Sequence, residues 1–271
     1  GQGHRTVVAQ VIAEVLGVKR RAIELRLELF GQHAREFHEW VLAGQSGRAA
    51  PPRISAAVMD ELETFETDRR LCPLTVAVLL ERHTHYLVHV AVGTLPPRPN
   101  LSESDQERKR AQEELYGKRR SESRKVAREA IEAWTEKCQV GDGAILFTDK
   151  KSSYRRILSE ARRGRGIAHA RIPGKQARNR ANPLFPVNHI NGFLRDAVSR
   201  LVRRNWGATK KRRRLTPHLW LLVAFRNYVR GITRTSWKTS AAKALGLFAD
   251  KLTWGDFLRW RAPFFDRLHA T

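Results

Sequence analysis

Apolar residues recur at helical spacing through residues 6–46, with one break near the middle. Gly17 and Val18 form the break, which predicts a tight turn between two short amphipathic helices. Before the turn, Val8, Ile12, Val15 and Leu16 are expected to form one buried stripe, and after it Ile23 and Leu27 continue the second helix. Two helices joined in this way are typical of a helix-turn-helix, although an ordinary helical hairpin has the same pattern.

The spacing of apolar residues changes after a linker at 44–53. The segments 54–66, 74–82 and 86–94 are rich in apolar and β-branched residues, and they predict three consecutive strands, the last two forming a hairpin. Farther along, the pattern predicts a charged helical stretch over 101–139, a strand over 144–149, a helix over 153–163, a strand over 167–173 and basic helices near 188–205 and 216–230. This order predicts an α/β fold, with a mixed sheet flanked by helices.

The charge balance points to a polyanionic partner. The 271 residues contain 51 Lys and Arg against 27 Asp and Glu, a net charge of +24 that exceeds what solubility requires. Between residues 150 and 214, 20 Lys or Arg face only Glu160 and Asp196, a local excess of +18. Nucleic acid is the leading candidate, because such density suits phosphate contacts. An anionic membrane is the weaker alternative, since the basic residues do not form one amphipathic anchor.

Two groups of basic residues are candidates for DNA contact. Lys19, Arg20 and Arg21 begin the second N-terminal helix, where side chains could read a DNA sequence. The second group, which we expect to contact the phosphate backbone, consists of Arg162, Arg163, Arg165, Lys175, Arg178, Arg180, Lys210, Lys211 and Arg212. For any single member, a solvated surface charge is the simpler interpretation, and the density of the set is what favours DNA.

Cysteine usage and hydropathy narrow the class of protein. Cys72 and Cys138 are the only cysteines and form no CxxC pair, so they can build neither a disulfide framework nor a cysteine zinc site. A reducing compartment fits this composition. No run of 18 apolar residues occurs, and residues 1–5 lack the apolar region of a signal peptide. We therefore expect a cytoplasmic protein with no membrane partner.

Two aspartates occupy positions that favour a divalent cation. Asp60 lies inside the first predicted strand, and Asp149 is the last residue of the fourth. Open α/β sheets deliver side chains at strand ends to a ligand crevice, and a buried carboxylate requires a metal or cationic partner. Asp149 could equally cap the following helix. Glu61 and Glu63 alternate to the opposite face, and we expect them to be exposed acids.

The sequence resembles bacterial insertion-sequence transposases of the DDE class. Four strings carry the resemblance in order: MDELETF, ILFTDKKSSY, NHINGFLRDAVSRLVRRNW with a following TKK, and LVAFRNYVR. It extends over residues 6–260 and implies a ribonuclease H-like catalytic domain over 54–230. A helix-turn-helix-like DNA-binding domain over 1–46 would precede this domain, and a helical extension over 231–271 would follow it.

The resemblance also implies a site and partners. In that family the first two carboxylates align with Asp60 and Asp149, which hold Mg²⁺ or Mn²⁺. Asn188 stands where the family carries the third carboxylate, a glutamate, and Asp196 is the available substitute unless it pairs with Arg200 on the helix surface. The implied partners are double-stranded DNA, as insertion-sequence ends and target, and a second copy of the chain in a homodimer. The implied location is the bacterial nucleoid.

Three functional classes follow from these observations. The first is a transposase that performs metal-dependent strand cleavage and strand transfer at insertion-sequence ends. Because Asn188 replaces the expected glutamate, the second is a transposase-derived DNA-binding protein that has lost catalysis. The third, an RNA-binding or ribosome-associated protein, rests on the charge alone. His189, next to Asn188, could position water or phosphate, or could serve only as a structural hydrogen-bonding group.

Overall fold

The computed structural model describes residues 13–45, 50–162, 164–177, 179–198, 201, 211–233 and 235–261. Its helices and strands, in chain order, are α1 (Arg20–Leu42), β1 (Ala56–Phe65), β2 (Pro73–Glu81), β3 (Leu87–Thr94), α2 (Glu103–Tyr116), α3 (Ser123–Lys137), β4 (Ile145–Asp149), α4 (Ser152–Ala161), β5 (Ala168–Ile172), α5 (Phe185–Ala197), α6 (Arg212–Ala224), α7 (Ala241–Ala244) and α8 (Trp254–Arg259). A π-helical turn, Phe225–Val229, directly continues α6.

The strands form one mixed sheet in the order β3-β2-β1-β4-β5. β2 runs antiparallel to both β1 and β3, whereas β1, β4 and β5 run parallel to one another. β2 is buried along its whole length, as expected for an apolar strand covered on both faces. The five predicted strands are confirmed, and this mixed α/β arrangement is consistent with the ribonuclease H-like sheet that the resemblance implies.

The first long helix, α1, contributes one face to the hydrophobic core. Its inward face is at most 2% exposed and joins the same hydrophobic cluster as β1, β2 and β3. The residues of this face are Ala34, Phe37, Val41 and Leu42. This packing differs from the predicted separation of residues 1–46 as a domain, because the C-terminal half of α1 packs against α6 and reaches β3, where His38 Nε2 lies 2.9 Å from the Val88 carbonyl oxygen.

Gly31 allows α1 to approach α6 closely. A Cβ atom built on Gly31 would lie 2.3 Å from the Cβ of Pro217 in α6, far inside van der Waals contact. Any larger residue at position 31 would therefore push the two helices apart.

The predicted N-terminal turn is present at Gly17, which has a φ of +62°. The Val18 amide donates to the Ala13 carbonyl over 2.8 Å, and α1 begins three residues after Gly17, at Arg20. Val15 and Leu16 are 79% and 58% exposed, so their predicted burial in a stripe is wrong. Val8 and Ile12 lie outside the described residues. The turn is therefore confirmed, and a DNA-binding helix-turn-helix stays a prediction.

Three helical predictions change in their bounds. The stretch over 101–139 is two helices, α2 and α3, separated at Gly117, whose φ is +76°. The basic helix predicted near 188–205 begins earlier and ends at Ala197, since Val198 is extended. The helix predicted near 216–230 is α6 followed by the π-helical turn, which buries Arg226, Asn227 and Tyr228. No helix in the described part of the chain is long and apolar enough to cross a membrane.

Candidate active site

Asp60 and Asp149 follow the paired residues of two neighbouring parallel strands, β1 and β4. The β1–β4 ladder pairs Ala56 with Ile145 and Val58 with Phe147. Continued by two residues in each strand, the same register sets Asp60 beside Asp149. Register partners on parallel strands point to the same face, and adjacent strands are about 4.8 Å apart. The sheet therefore brings the two predicted carboxylates to one place.

Each of these carboxylates uses one oxygen in a local contact. The Glu61 amide donates to Asp60 Oδ1 over 2.8 Å, and the Lys151 amide donates to Asp149 Oδ1 over 3.0 Å. The N-cap of α4 is Lys151 rather than Asp149, so the predicted capping alternative is replaced by a turn just before the helix. Asp149 Oδ2 accepts no hydrogen bond from the described residues.

Helix α5 covers Asp60 with Asn191, a residue that no sequence pattern indicates. Asn191 Nδ2 donates to Asp60 Oδ2 over 3.0 Å, and the Asn191 side chain is almost fully buried, at 6% exposure. Its Oδ1 is also buried and finds no hydrogen-bond partner within the described ranges. An amide oxygen buried without a donor is unfavourable, and a bound cation or water is the usual remedy.

A cleft of about 600 Å³ separates the second half of β1 from α5. Residues 60–63 of β1 line one wall. The other wall is one face of α5, formed by Phe185, Asn188, His189, Asn191, Gly192 and Arg195. These positions recur every three or four residues, which is the spacing of a single helix face. Asn188 and Asn191 thus face the same space as Asp60.

Glu61 is not the exposed acid that strand alternation predicts. Its side chain is only 7% exposed and points away from α5 toward α4. Its Oε1 accepts hydrogen bonds from Lys151 Nζ over 2.6 Å and from the Tyr154 hydroxyl over 2.7 Å. Its Oε2 accepts from the Thr75 hydroxyl over 2.7 Å. Burial raises the pKa of Glu61, but these hydrogen bonds and the Lys151 charge outweigh it and lower the pKa overall.

Tyr154 bonds Glu61 and lies within electrostatic range of Asp60 and Asp149. Burial is the main reason that its pKa is raised, followed by the charge and hydrogen bond of Glu61 and then by the charges of Asp149 and Asp60. One phenol therefore lies within electrostatic range of both aspartates, which agrees with the register. Tyr154 stays protonated and donates to Glu61, which ties α4 to β1. In the sequence, Tyr154 is one residue of an apolar helix face, and that pattern does not indicate a contact with Glu61.

The donor set suits a hard divalent cation with partial protein coordination. Mg²⁺ commonly takes one or two carboxylates and completes its shell with water and substrate phosphates. Asp60, Asp149 and the amide oxygens on α5 supply such oxygens. In the part of the chain that the structure describes, no three His, Cys, Asp or Glu side chains converge as a metal site. Asp196 is exposed near the end of α5, away from the cleft lining, so it is not brought to Asp60.

The N-terminal basic residues are exposed at the start of α1. Lys19, Arg20 and Arg21 all lie on the surface. Arg20 and Arg21 also face Glu24, with N–O distances of 3.3 Å and 3.8 Å. Exposed ion pairs of this kind are weak, so the two arginines remain accessible to phosphate.

The second basic group divides into free surface residues and residues with internal contacts. Arg162, Lys175, Arg180 and Lys211 are exposed. Arg165 is half-buried and donates to the Thr135 carbonyl, and the Arg212 side chain donates to Glu122. The last two therefore hold the fold together as well as carrying charge. Arg163, Arg178 and Lys210 lie outside the described residues.

Comparisons with known proteins add little to this geometry. No protein-family model matches the chain, and no curated protein matches it. Among solved structures, the chain is similar to the crystal structure of the catalytic domain of Mos1 mariner transposase. The identity is 11%, over 71% of this chain and 89% of that chain, and the TM-score is 0.24. Similarity at this level assigns neither fold nor function.

Proposed function

We propose that this protein is a DNA transposase that performs metal-dependent strand cleavage and strand transfer at insertion-sequence ends. The observation that carries the proposal is the parallel β1–β4 register, which, extended two residues beyond its last pair, sets Asp60 beside Asp149. Two acidic side chains at one level, next to an open cleft on a strongly basic protein, suit phosphodiester chemistry.

Asp60 and Asp149 would hold Mg²⁺ or Mn²⁺, with Asn188 or Asn191 adding an amide oxygen. When bound, such ions lower the pKa of an attacking water or 3′-hydroxyl and stabilise the leaving oxygen of the phosphodiester. Asn191 would keep the Asp60 carboxylate in one orientation through its 3.0 Å hydrogen bond. The turn at Lys151 would do the same for Asp149.

The exposed arginines and lysines would bind the DNA backbone. Arg162, Lys175 and Arg180 lie on the segments that connect α4, β5 and α5. Phosphate contacts of this kind release counterions, so DNA binding should weaken steeply as salt rises. A homodimer on two DNA ends belongs to the same proposal, because two ends must meet in one complex.

A transposase-derived DNA-binding protein without catalysis is the second candidate. Its specific support is the absence of a three-acid cluster among the described residues, together with Asn188 where the resemblance implies glutamate. An asparagine oxygen has no formal charge, so it binds Mg²⁺ more weakly than a carboxylate.

Nicking of supercoiled plasmid separates the two candidates. Purified protein is incubated with plasmid and Mg²⁺ or Mn²⁺, and the Asp60→Asn and Asp149→Asn variants are compared with Asp250→Asn. Asp250 is a matched control because it is 88% exposed, on the loop after α7. We expect nicking by the wild type and the control, loss of nicking in both site variants, and unchanged DNA binding. Tight DNA binding by a wild-type protein that never nicks would support the second candidate.

A further inference from the structure

The guanidinium of Arg226 is buried and forms no ion pair with an acid among the described residues. Arg226 lies in the π-helical turn, and its side chain is 3% exposed. Its Nη1 atom has no hydrogen-bond partner within the described ranges. Burial is the main reason that its pKa is lowered to about 10, and the like charge of Arg230 lowers it further. The guanidinium therefore stays charged at neutral pH, in a place where an unpaired charge is strongly unfavourable.

The residues that follow Arg226 fix its position. Asn227 donates to the Leu87 carbonyl over 2.8 Å and accepts from the Leu87 amide over 2.9 Å. The Tyr228 hydroxyl contacts the Tyr86 hydroxyl at 2.7 Å and His38 Nδ1 at 2.8 Å. These groups are all buried, so the π-helical turn is held firmly against β3 and α1. Such turns interrupt regular helices and often occur at functional sites.

Two histidines lie close to the turn that carries Arg226. Asn227 bonds Leu87, two residues after His85, and Arg230 stacks on Phe193, four residues after His189. The His85 and His189 rings are 5.6 Å apart, and His189 lines the cleft with Asp60. Burial is the main cause that lowers the pKa of both, to about 4 for His85, and the Arg226 charge adds to it. An imidazole carries at least one N–H in either protonation state, so each ring can donate a hydrogen bond to an anion.

Glu81, the acid whose charge acts on His85, uses one carboxylate oxygen in local hydrogen bonds. Glu81 Oε2 accepts from the His83 amide over 2.9 Å and from the Thr84 amide and hydroxyl over 2.5 Å and 2.7 Å. Glu81 forms no ion pair with Arg226, and no acid is among the groups that shift the pKa of Arg226. Arg230 adds a second guanidinium, stacked 4.5 Å from the Phe193 ring centroid on α5. The cluster thus combines fixed positive charge with N–H donors, and no acid among the described residues forms an ion pair with Arg226 or Arg230.

We propose that Arg226, Arg230, His85 and His189 form a phosphate-binding subsite that holds a phosphodiester of a nucleic-acid strand beside the Asp60 cleft. A planar guanidinium with adjacent N–H donors matches a phosphate oxygen array. The identity of the ligand as a nucleic-acid strand rests on the proposed function. Anion binding at the subsite does not, because it follows from the unpaired buried charge.

Arg226→Met is the most informative variant. Methionine is close in volume and uncharged, so it removes the phosphate partner without opening a large cavity. Replacing a buried unpaired charge by an apolar side chain should leave the melting temperature unchanged or raise it. Affinity for a labelled DNA duplex, measured in EDTA, should fall about tenfold, as expected for loss of a charge-assisted contact. The slope of log affinity against log salt should become shallower by about 0.9, one phosphate contact.

Arg259→Met is the matched control, because Arg259 is 78% exposed on α8. It should retain wild-type affinity and melting temperature. Wild-type affinity and salt slope in Arg226→Met would overturn the proposal. If circular dichroism shows that this variant does not fold, Arg226→Lys is measured instead, because it keeps the charge but loses the planar guanidinium. DNA binding at least threefold weaker than wild type would support the subsite, and wild-type binding would contradict it.

Inorganic phosphate tests whether the subsite binds free phosphate or the phosphodiester of a nucleic-acid strand. Phosphate that raises the melting temperature of the wild type but not of Arg226→Met, together with unchanged DNA affinity in the variant, would assign the site to free phosphate and overturn the proposal. Because DNA binding is measured without metal, failure of nicking in the wild type would count against the proposed catalysis alone.

Discussion

Asn191 on α5 donates a hydrogen bond of 3.0 Å to Asp60 on the central strand, 131 positions earlier in the chain. This contact attaches the helix that carries Asn188 to the strand that carries Asp60. It also orients a carboxylate whose second oxygen accepts the Glu61 amide. Asp60, Asn188 and Asn191 therefore lie together where α5 faces the sheet.

Asn191→Ala should weaken catalysis more than stability. Loss of the donor frees the Asp60 carboxylate to rotate, and partners of this kind commonly contribute 10-fold to 100-fold to metal affinity or activity, so we expect a loss of roughly that size. Nicking rate as a function of Mg²⁺ concentration measures it, and DNA affinity in EDTA should not change. The exposed Asn100→Ala is the control. Equal loss of nicking in both variants would rule out an orienting role.

Asn188→Glu should lower the Mg²⁺ concentration needed for half-maximal nicking by about tenfold, because it adds a charged oxygen to the cleft. The control is Asn100→Glu, which makes the same charge change on the surface. Asp196→Asn, away from the cleft lining, should leave the requirement unchanged. The opposite result, no effect of Asn188→Glu and a raised requirement in Asp196→Asn, would identify Asp196 as the third ligand.

Glu61→Gln tests the buried ion pair. At pH 7 the variant should lose about 2 kcal/mol of unfolding free energy, because Lys151 and Tyr154 lose a charged acceptor. The pKa of Glu61 is lowered in the folded state, so its stabilisation is complete above the ordinary pKa of 4.5 and disappears as the pH falls through the folded value. The stability difference between variant and wild type should therefore close in acid. Urea unfolding from pH 3 to 7 measures it, and a difference independent of pH would contradict the ion pair.

Gly31→Ala should destabilise the protein by about 2 kcal/mol or more, because the new methyl group meets Pro217 where two helices cross. Gly192→Ala, in the middle of α5 with no atom near its Cβ position, should instead stabilise by about 0.5–1 kcal/mol through helix propensity. Thermal or urea unfolding compares them. Equal effects of the same sign in the two variants would show that the close helix crossing is absent.

Much of the sheet could be predicted from sequence because strand periodicity is local. The apolar strands, and the placement of Asp60 and Asp149 within them, could be predicted without knowing which residues they contact in the fold. Glu61 could not be placed, because alternation gives a face but does not say that Lys151, 90 positions later, covers it. The amide of Asn191 carries no pattern of its own. The π-helical turn depends on the contact of Asn227 with Leu87, 140 positions away.

Crystals grown with Mn²⁺ and a short DNA duplex test the central claim most directly, through anomalous scattering. We predict an anomalous peak between Asp60 and Asp149, about 2 Å from a carboxylate oxygen of each residue, and its loss in Asp149→Asn. A fully occupied Mn²⁺ elsewhere in the same crystals, with no peak at the two aspartates, would contradict the account.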